Sequence, residues 1–127
     1  GILASKPEVK WRMHALETSK LLTEEYSAKI LLALMGRPKS ALELSDKLDI
    51  PIAACYRKIN LLESAGLICC EERKLTRAGK RVNMYKARVK SASIAMERNG
   101  IRARIEMIDG TFIDSDYCID MDIFAES

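Results

Sequence analysis

The chain has 127 residues, 48% of them hydrophobic and 31% charged. That is enough for one folded domain with a small appendage and too few for two independent cores, and it excludes a disordered tail or a collagen-like fibre. The net charge is only +3, yet it is unevenly placed. Residues up to Lys90 hold 18 basic and 10 acidic side chains, net +8, whereas Ser91 to Ser127 hold 3 basic and 8 acidic, net −5.

In chain order, Ser5-Lys-Pro-Glu8 has the form of a capping box, and Val9, Met13 and Leu16 then repeat at helical spacing. Trp11 sits off that stripe, which makes this N-terminal helix, residues 1–20, either a cover for its own domain or a dimer contact. Thr23 can cap a second helix with Glu24 and Glu25 in its first turn and Ile30, Leu31, Leu34 and Met35 on its buried side, stopped by Gly36 and Pro38. Ser40 and Glu43 form another capping box, opening a short helix to Leu48 with Ala41, Leu44 and Leu48 on one face. Asp49-Ile50-Pro51 breaks it. The next helix, Ile52 to Ala65, ends at Gly66; Cys55, Ile59 and Leu62 make its core stripe, and Ala53, Arg57, Asn60 and Ser64 lie opposite. A short helix, a tight turn and a second helix with a polar outer face form the helix-turn-helix pattern.

After Gly66 the period becomes extended. Leu67 to Glu71 and Arg81 to Lys90 read as strands, and the polar stretch Glu72 to Lys80 between them reads as a long basic loop, so the pair forms a wing. Asn99-Gly100 predicts a hairpin through a type I′ turn. The matching register pairs Arg98 with Ile101, Met96 with Ala103, Ile94 with Ile105 and Glu97 with Arg102. Asp109-Gly110 predicts a further turn into Thr111 to Phe124, an acidic segment in which Ile119, Met121 and Ile123 share a face. That segment is either an edge strand or a tail.

Catalytic chemistry has little to stand on. His14 is the only histidine, and no nucleophile, phosphate-loop, dinucleotide or paired-carboxylate motif appears, so neither an enzyme nor a cofactor is expected. The four cysteines, Cys55, Cys69, Cys70 and Cys118, lack disulfide or metal spacing. His14, Cys70 and Cys118 are too scattered to predict a metal site. Cys69 and Cys70 point to opposite faces of a strand, and an exposed one could sense oxidation. No run approaches the roughly 18 residues of a membrane span and no signal peptide is present, so the cytoplasm is the expected compartment and no membrane is a partner.

The basic body is more informative. Arg73, Lys74, Arg77, Lys80 and Arg81 fall within ten residues, suited to phosphates or a narrow minor groove, the alternative being a charged loop that serves solubility. Arg57 and Asn60 have the chemistry for base edges, flanked by Tyr56, while Ile52 and Ala53 offer apolar contact to a thymine methyl. Ser40 is a phosphate clamp or a helix cap alone.

From Leu21 to about Val89 the chain resembles winged-helix transcriptional regulators of the ArsR-like (arsenical-resistance-regulator) superfamily of archaea and bacteria. The resemblance is carried by Thr23 to Met35 with Gly36-Arg-Pro, by Ser40-Ala-Leu-Glu-Leu-Ser-Asp-Lys-Leu48, by Ile50-Pro51 and Cys55-Tyr56-Arg57, and by Leu61-Leu-Glu-Ser-Ala-Gly-Leu-Ile68. It implies a homodimer on double-stranded DNA, with Ile52, Ala53, Tyr56, Arg57 and Asn60 in the major groove and Arg73, Lys74, Arg77, Lys80 and Arg81 on the backbone or minor groove. Two positions depart from the pattern. Ala53-Ala54 replaces the Ser or Thr that many relatives carry early in the recognition helix, and Leu42-Glu-Leu-Ser-Asp46 lacks the Cys-x-Cys of metal sensors, so no metal is implied. The hairpin at about 91–108 resembles strand additions of archaeal winged-helix regulators, a candidate surface for dimerisation, a protein partner or an effector.

The expected architecture is therefore α+β: an N-terminal helix (1–20), a winged helix-turn-helix (21–90) and a C-terminal β-hairpin with an acidic strand or tail (91–127). The expected function is sequence-specific DNA binding, with a protein-interaction module as the alternative.

Overall fold

The computed structural model describes residues 15–118, in which four helices precede five strands. The helices are α1 (Ala15–Thr23), α2 (Glu25–Gly36), α3 (Ala41–Leu48) and α4 (Ile52–Ser64); the strands are β1 (Ile68–Leu75), β2 (Arg81–Ala87), β3 (Val89–Glu97), β4 (Gly100–Met107) and β5 (Phe112–Cys118). β1 and β2 form one antiparallel ribbon, and β3, β4 and β5 form a meander with β4 in the middle. The architecture is α+β, a helix-turn-helix followed by a wing. The capping box at Ser5 to Glu8, together with Val9, Trp11 and Met13, lies outside the described residues, as do His14 and the proposed strand face of Ile119, Met121 and Ile123.

Local chemistry explains the helix ends. The N-cap of α2 is Glu24 rather than Thr23. Its carboxylate accepts the amides of Tyr26 (3.0 Å) and Ser27 (2.9 Å). Thr23 instead closes α1, its hydroxyl donating back to the carbonyl of Ser19. Burial pushes the Glu24 carboxyl up, but these two amides, the Lys58 ammonium and the Ser27 hydroxyl outweigh it and hold the pKa down to about 2. α3 carries the expected capping box, with Glu43 N donating to Ser40 Oγ at 3.2 Å and Ser40 N to Glu43 Oε1 at 3.0 Å. Asp49, at φ 56°, turns the chain out of α3. At the end of α4, Gly66 at φ 75° lets its own amide reach Glu63 O and the amide of Leu67 reach Leu62 O, which satisfies two terminal carbonyls.

Ile30, Leu34, Leu44, Cys55, Ile59 and Leu62 fill the space between α2, α3 and α4. Met35, expected with them, lies at the surface. The same core runs on through Leu67, Ile68 and Tyr85 of the ribbon to Val89, Ile105 and Met107, so the meander packs against the helices. α1 lies over β4 and β5, where Thr18 and Ser115 hydroxyls meet at 3.4 Å. Lys39 is buried between α2 and the ribbon. Its backbone pairs with Tyr85 in both directions, and its ammonium donates to Ala33 O (2.9 Å) and Arg37 O (3.4 Å) at the negative end of α2.

Three expectations about strands need correction. The wing loop is short: Glu72 to Leu75 are strand, not loop, paired from Glu72↔Met84 to Leu75↔Arg81 after a bulge at Glu71. Their side chains are exposed, so no apolar alternation announced them. The second wing strand stops at Ala87, because Arg88 donates to Leu67 O and accepts from Ile108 N as the chain passes between sheets. In the meander the turn is Arg98-Asn99 rather than Asn99-Gly100, and Met96 faces Ile101, Ile94 faces Ala103 and Ala92 faces Ile105. The offset from the expected register is two residues, which keeps every side chain on its predicted face. Neither Asn99 nor Gly100 has a positive φ. Gly100 is needed for a different reason: β5 runs so close that a Cβ there would strike the carbonyl oxygen of Tyr117.

Candidate nucleic-acid interface

The turn formed by Asp49, Ile50 and Pro51 sets α4 across the end of α3. With Ala54, Cys55, Ile59 and Leu62 buried, the spacing of 3.6 residues per turn leaves Ile52, Ala53, Tyr56, Arg57 and Asn60 on one outward stripe. Ile52 is 38% exposed and Tyr56 48%. Beside them on α3, Leu42 is 62% exposed, an apolar neighbour that sequence reading had assigned no role. Pro51 makes no side-chain cap bond, so the leading turn of α4 presents no polar side chain until Tyr56 and Arg57.

The ribbon extends away from the core beside that stripe. Its tip is an ordered turn: Thr76 N donates to Lys80 O at 2.7 Å, Lys80 N to Thr76 Oγ1 at 3.1 Å, and Gly79 takes φ 80°. Arg77 and Lys80 therefore sit at a defined tip, and Arg73, Lys74 and Arg81 on the strands below it. Cross-strand pairing sets Arg73 opposite Asn83 and Leu75 opposite Arg81 on one face, with Lys74 opposite Val82 on the other. All five cations are exposed, and among the described residues none has an ion-pair partner.

A cleft of about 180 Å³ separates the ribbon from the helices, lined by Ser40, Leu42, Tyr56, Arg81, Asn83 and Tyr85 among others. Asn83, which donates to the Tyr85 hydroxyl at 3.2 Å, was absent from the sequence expectation because a single Asn in a strand carries no spacing signal. Ser40 is at the rim. Its oxygen accepts from Glu43 N, and its hydroxyl faces the Glu43 carboxylate, which it helps keep ionised. The Glu43 carboxyl is held below its usual range by the Ser40 amide, with the Arg37 guanidinium adding to the effect, so a negative charge already sits at this helix end.

The C-terminal meander has the opposite electrostatic character. Arg102 pairs with Asp116 (3.2 Å) and Glu97 (3.7 Å), Arg104 with Asp114 (3.6 Å) while stacking over the Phe112 ring, and Lys90 with Glu106 (3.7 Å). Lys90, Arg102 and Arg104 are thus paired in place, whereas Arg98 in the turn between β3 and β4 is exposed without an ion pair among the described residues. The thiols stay apart from the interface chemistry: Cys55 is buried and pushed up by burial, Cys69 is half-buried, and Cys70 and Cys118 are exposed. No group of three or more His, Cys, Asp and Glu side chains converges among the described residues, and none of the described helices is long and apolar enough to cross a membrane.

Residues 22–70 match the family model of a helix-turn-helix domain, a span from the end of α1 to the first residues of the wing. No curated protein matches the chain. The matched span contains α3, α4 and the whole outward stripe, and it supports a DNA-binding regulator.

Proposed function

We propose that this chain is a sequence-specific transcriptional regulator of the ArsR-like kind that acts on double-stranded DNA in the cytoplasm. α4 lies in the major groove through Ile52, Ala53, Tyr56, Arg57 and Asn60. Arg73, Lys74, Arg77, Lys80 and Arg81 of the wing rest on phosphates or in the adjoining minor groove, and Ser40 with the amides at its helix start clamps a phosphate at the rim. The observation that carries this reading is the cleft where Arg81, one of five exposed and unpaired wing cations, meets Tyr56 of the outward stripe of a helix-turn-helix. Elsewhere in the chain, cations of the meander have carboxylate partners within reach. A homodimer is part of the proposal, with two copies of α4 on half-sites one helical turn apart. Met96, 84% exposed on β3, supports the C-terminal hairpin as the surface that joins them.

Selection of bound fragments from random DNA at two salt concentrations tests the proposal. Arg57→Ala should relax the selected motif at one position, losing about 1–3 kcal/mol of discrimination. Arg77→Ala and Lys80→Ala should weaken every fragment alike and flatten the salt slope by about one per contact removed. Affinity independent of salt would refute the electrostatic mechanism. The exposed apolar trio Leu42, Ile52 and Tyr56 favours one alternative, a protein partner docked at the same face, which a stoichiometric complex without any DNA retention would establish.

A further inference from the structure

The leading turn of α4 suggests which DNA the site takes. Ile52 and Ala53 are exposed where a recognition helix enters the groove, Pro51 adds no polar group, and Leu42 and Tyr56, which line one cleft, extend the apolar area. In the major groove every base edge presents hydrogen-bonding groups, and thymine alone adds a methyl at C5 beside its O4 acceptor. An aliphatic side chain pressed onto guanine or cytosine would strip water from those edges and return no hydrogen bond, at a cost that accrues to the wrong sequence alone. The same side chain on a thymine methyl gains contact area. The wing leads to the same base composition by an independent route. Its unpaired arginines, Arg73, Arg77 and Arg81, have the chemistry that the narrow minor groove of A·T tracts attracts through its enhanced negative potential.

Building on the DNA-binding reading above, we infer that the preferred ligand is an A·T-rich duplex, with thymine methyls seated under Ile52 and Ala53 and a narrow minor groove next to them for the wing. Arg57 and Asn60, one to two turns further along α4, read the bases that flank this patch.

The test compares alternating dA·dT, dA·dU and dG·dC duplexes at a fixed salt concentration by fluorescence anisotropy. Replacing thymine by deoxyuridine deletes the methyl and leaves the minor-groove pattern intact. Affinity should fall about fourfold per methyl contacted, the equivalent of the ~0.8 kcal/mol expected for one buried carbon group. Ile52→Ala, a surface substitution that leaves the core untouched, should bind dA·dT more weakly and erase most of the difference between the thymine and uracil duplexes. Equal binding of the thymine and uracil duplexes by the unsubstituted protein would overturn the inference while leaving DNA binding in place, as would dG·dC binding as tight as dA·dT. Retention of none of the three would overturn the DNA-binding reading itself, and this inference with it.

Discussion

Glu24 shows how much one side chain can organise. Its carboxylate caps α2 through two amides, reaches Ser27 Oγ at 3.0 Å, and pairs with Lys58 of α4 at 3.3 Å. More than a third of the side chain remains in solvent, so water screens the ion pair and the cap bonds carry most of the stabilisation. Because the folded pKa of about 2 lies below the ordinary 4.5, the contribution is fully present above pH 4.5 and is lost as pH falls toward 2. Glu24→Ala should cost about 1 kcal/mol at neutral pH. Urea denaturation across pH 2 to 5 should show the gap between the two proteins closing toward the acid end. The Lys39 pKa is lowered too, but for a base that shift disfavours the charged form. Desolvation lowers its pKa, with the Arg37 and Lys47 charges adding to it, yet the ammonium still caps the carbonyl end of α2.

At the scale of elements, the clearest test is Gly100. A side chain there meets backbone, not a flexible tip, so Gly100→Val must push β5 away from β4. A loss of about 1–3 kcal/mol is expected, with hydrogen exchange accelerated first along Phe112 to Cys118. Features that depend on a few neighbouring residues were legible beforehand: the Ser40 and Glu43 box, the stop at Asp49 to Pro51, the stripe of Cys55, Ile59 and Leu62, and the Gly66 terminus. What escaped depended on partners distant in sequence. Asn99-Gly100 looks like a two-residue turn because its neighbours alone favour one, but Gly100 is already engaged by a strand some eighteen residues later. Glu72 to Leu75 are extended because the opposing strand supplies their hydrogen bonds, although their side chains are as polar as a loop's. The interface residues divide the same way: the Arg57 and Asn60 stripe follows from helical period, whereas Leu42 and Asn83 join it only through the packing of α3 and β2.

For the molecule as a whole, the shared core is the governing fact. Ile105 and Met107 of β4 belong to the same buried cluster as Ile30, Leu44 and Ile59 behind the outward stripe. Ile105→Ala should therefore cost about 2–5 kcal/mol and lower the helical circular dichroism transition and the hydrogen-exchange protection of β4 together, as one transition. Two separated transitions would mean that the meander unfolds independently of the helix-turn-helix.

That shared core joins two parts of unlike charge. The wing holds five cations bare at one place, and the meander pairs Lys90, Arg102 and Arg104 with Glu106, Glu97, Asp116 and Asp114 at another. In the field of a polyanion such a body experiences a torque as well as an attraction, and it turns before it touches. The fraction of collisions that arrive wing first rises, because the internally paired sheet offers no competing attraction. Pairing within the meander thus shapes the rate at which the wing would meet a polyanion.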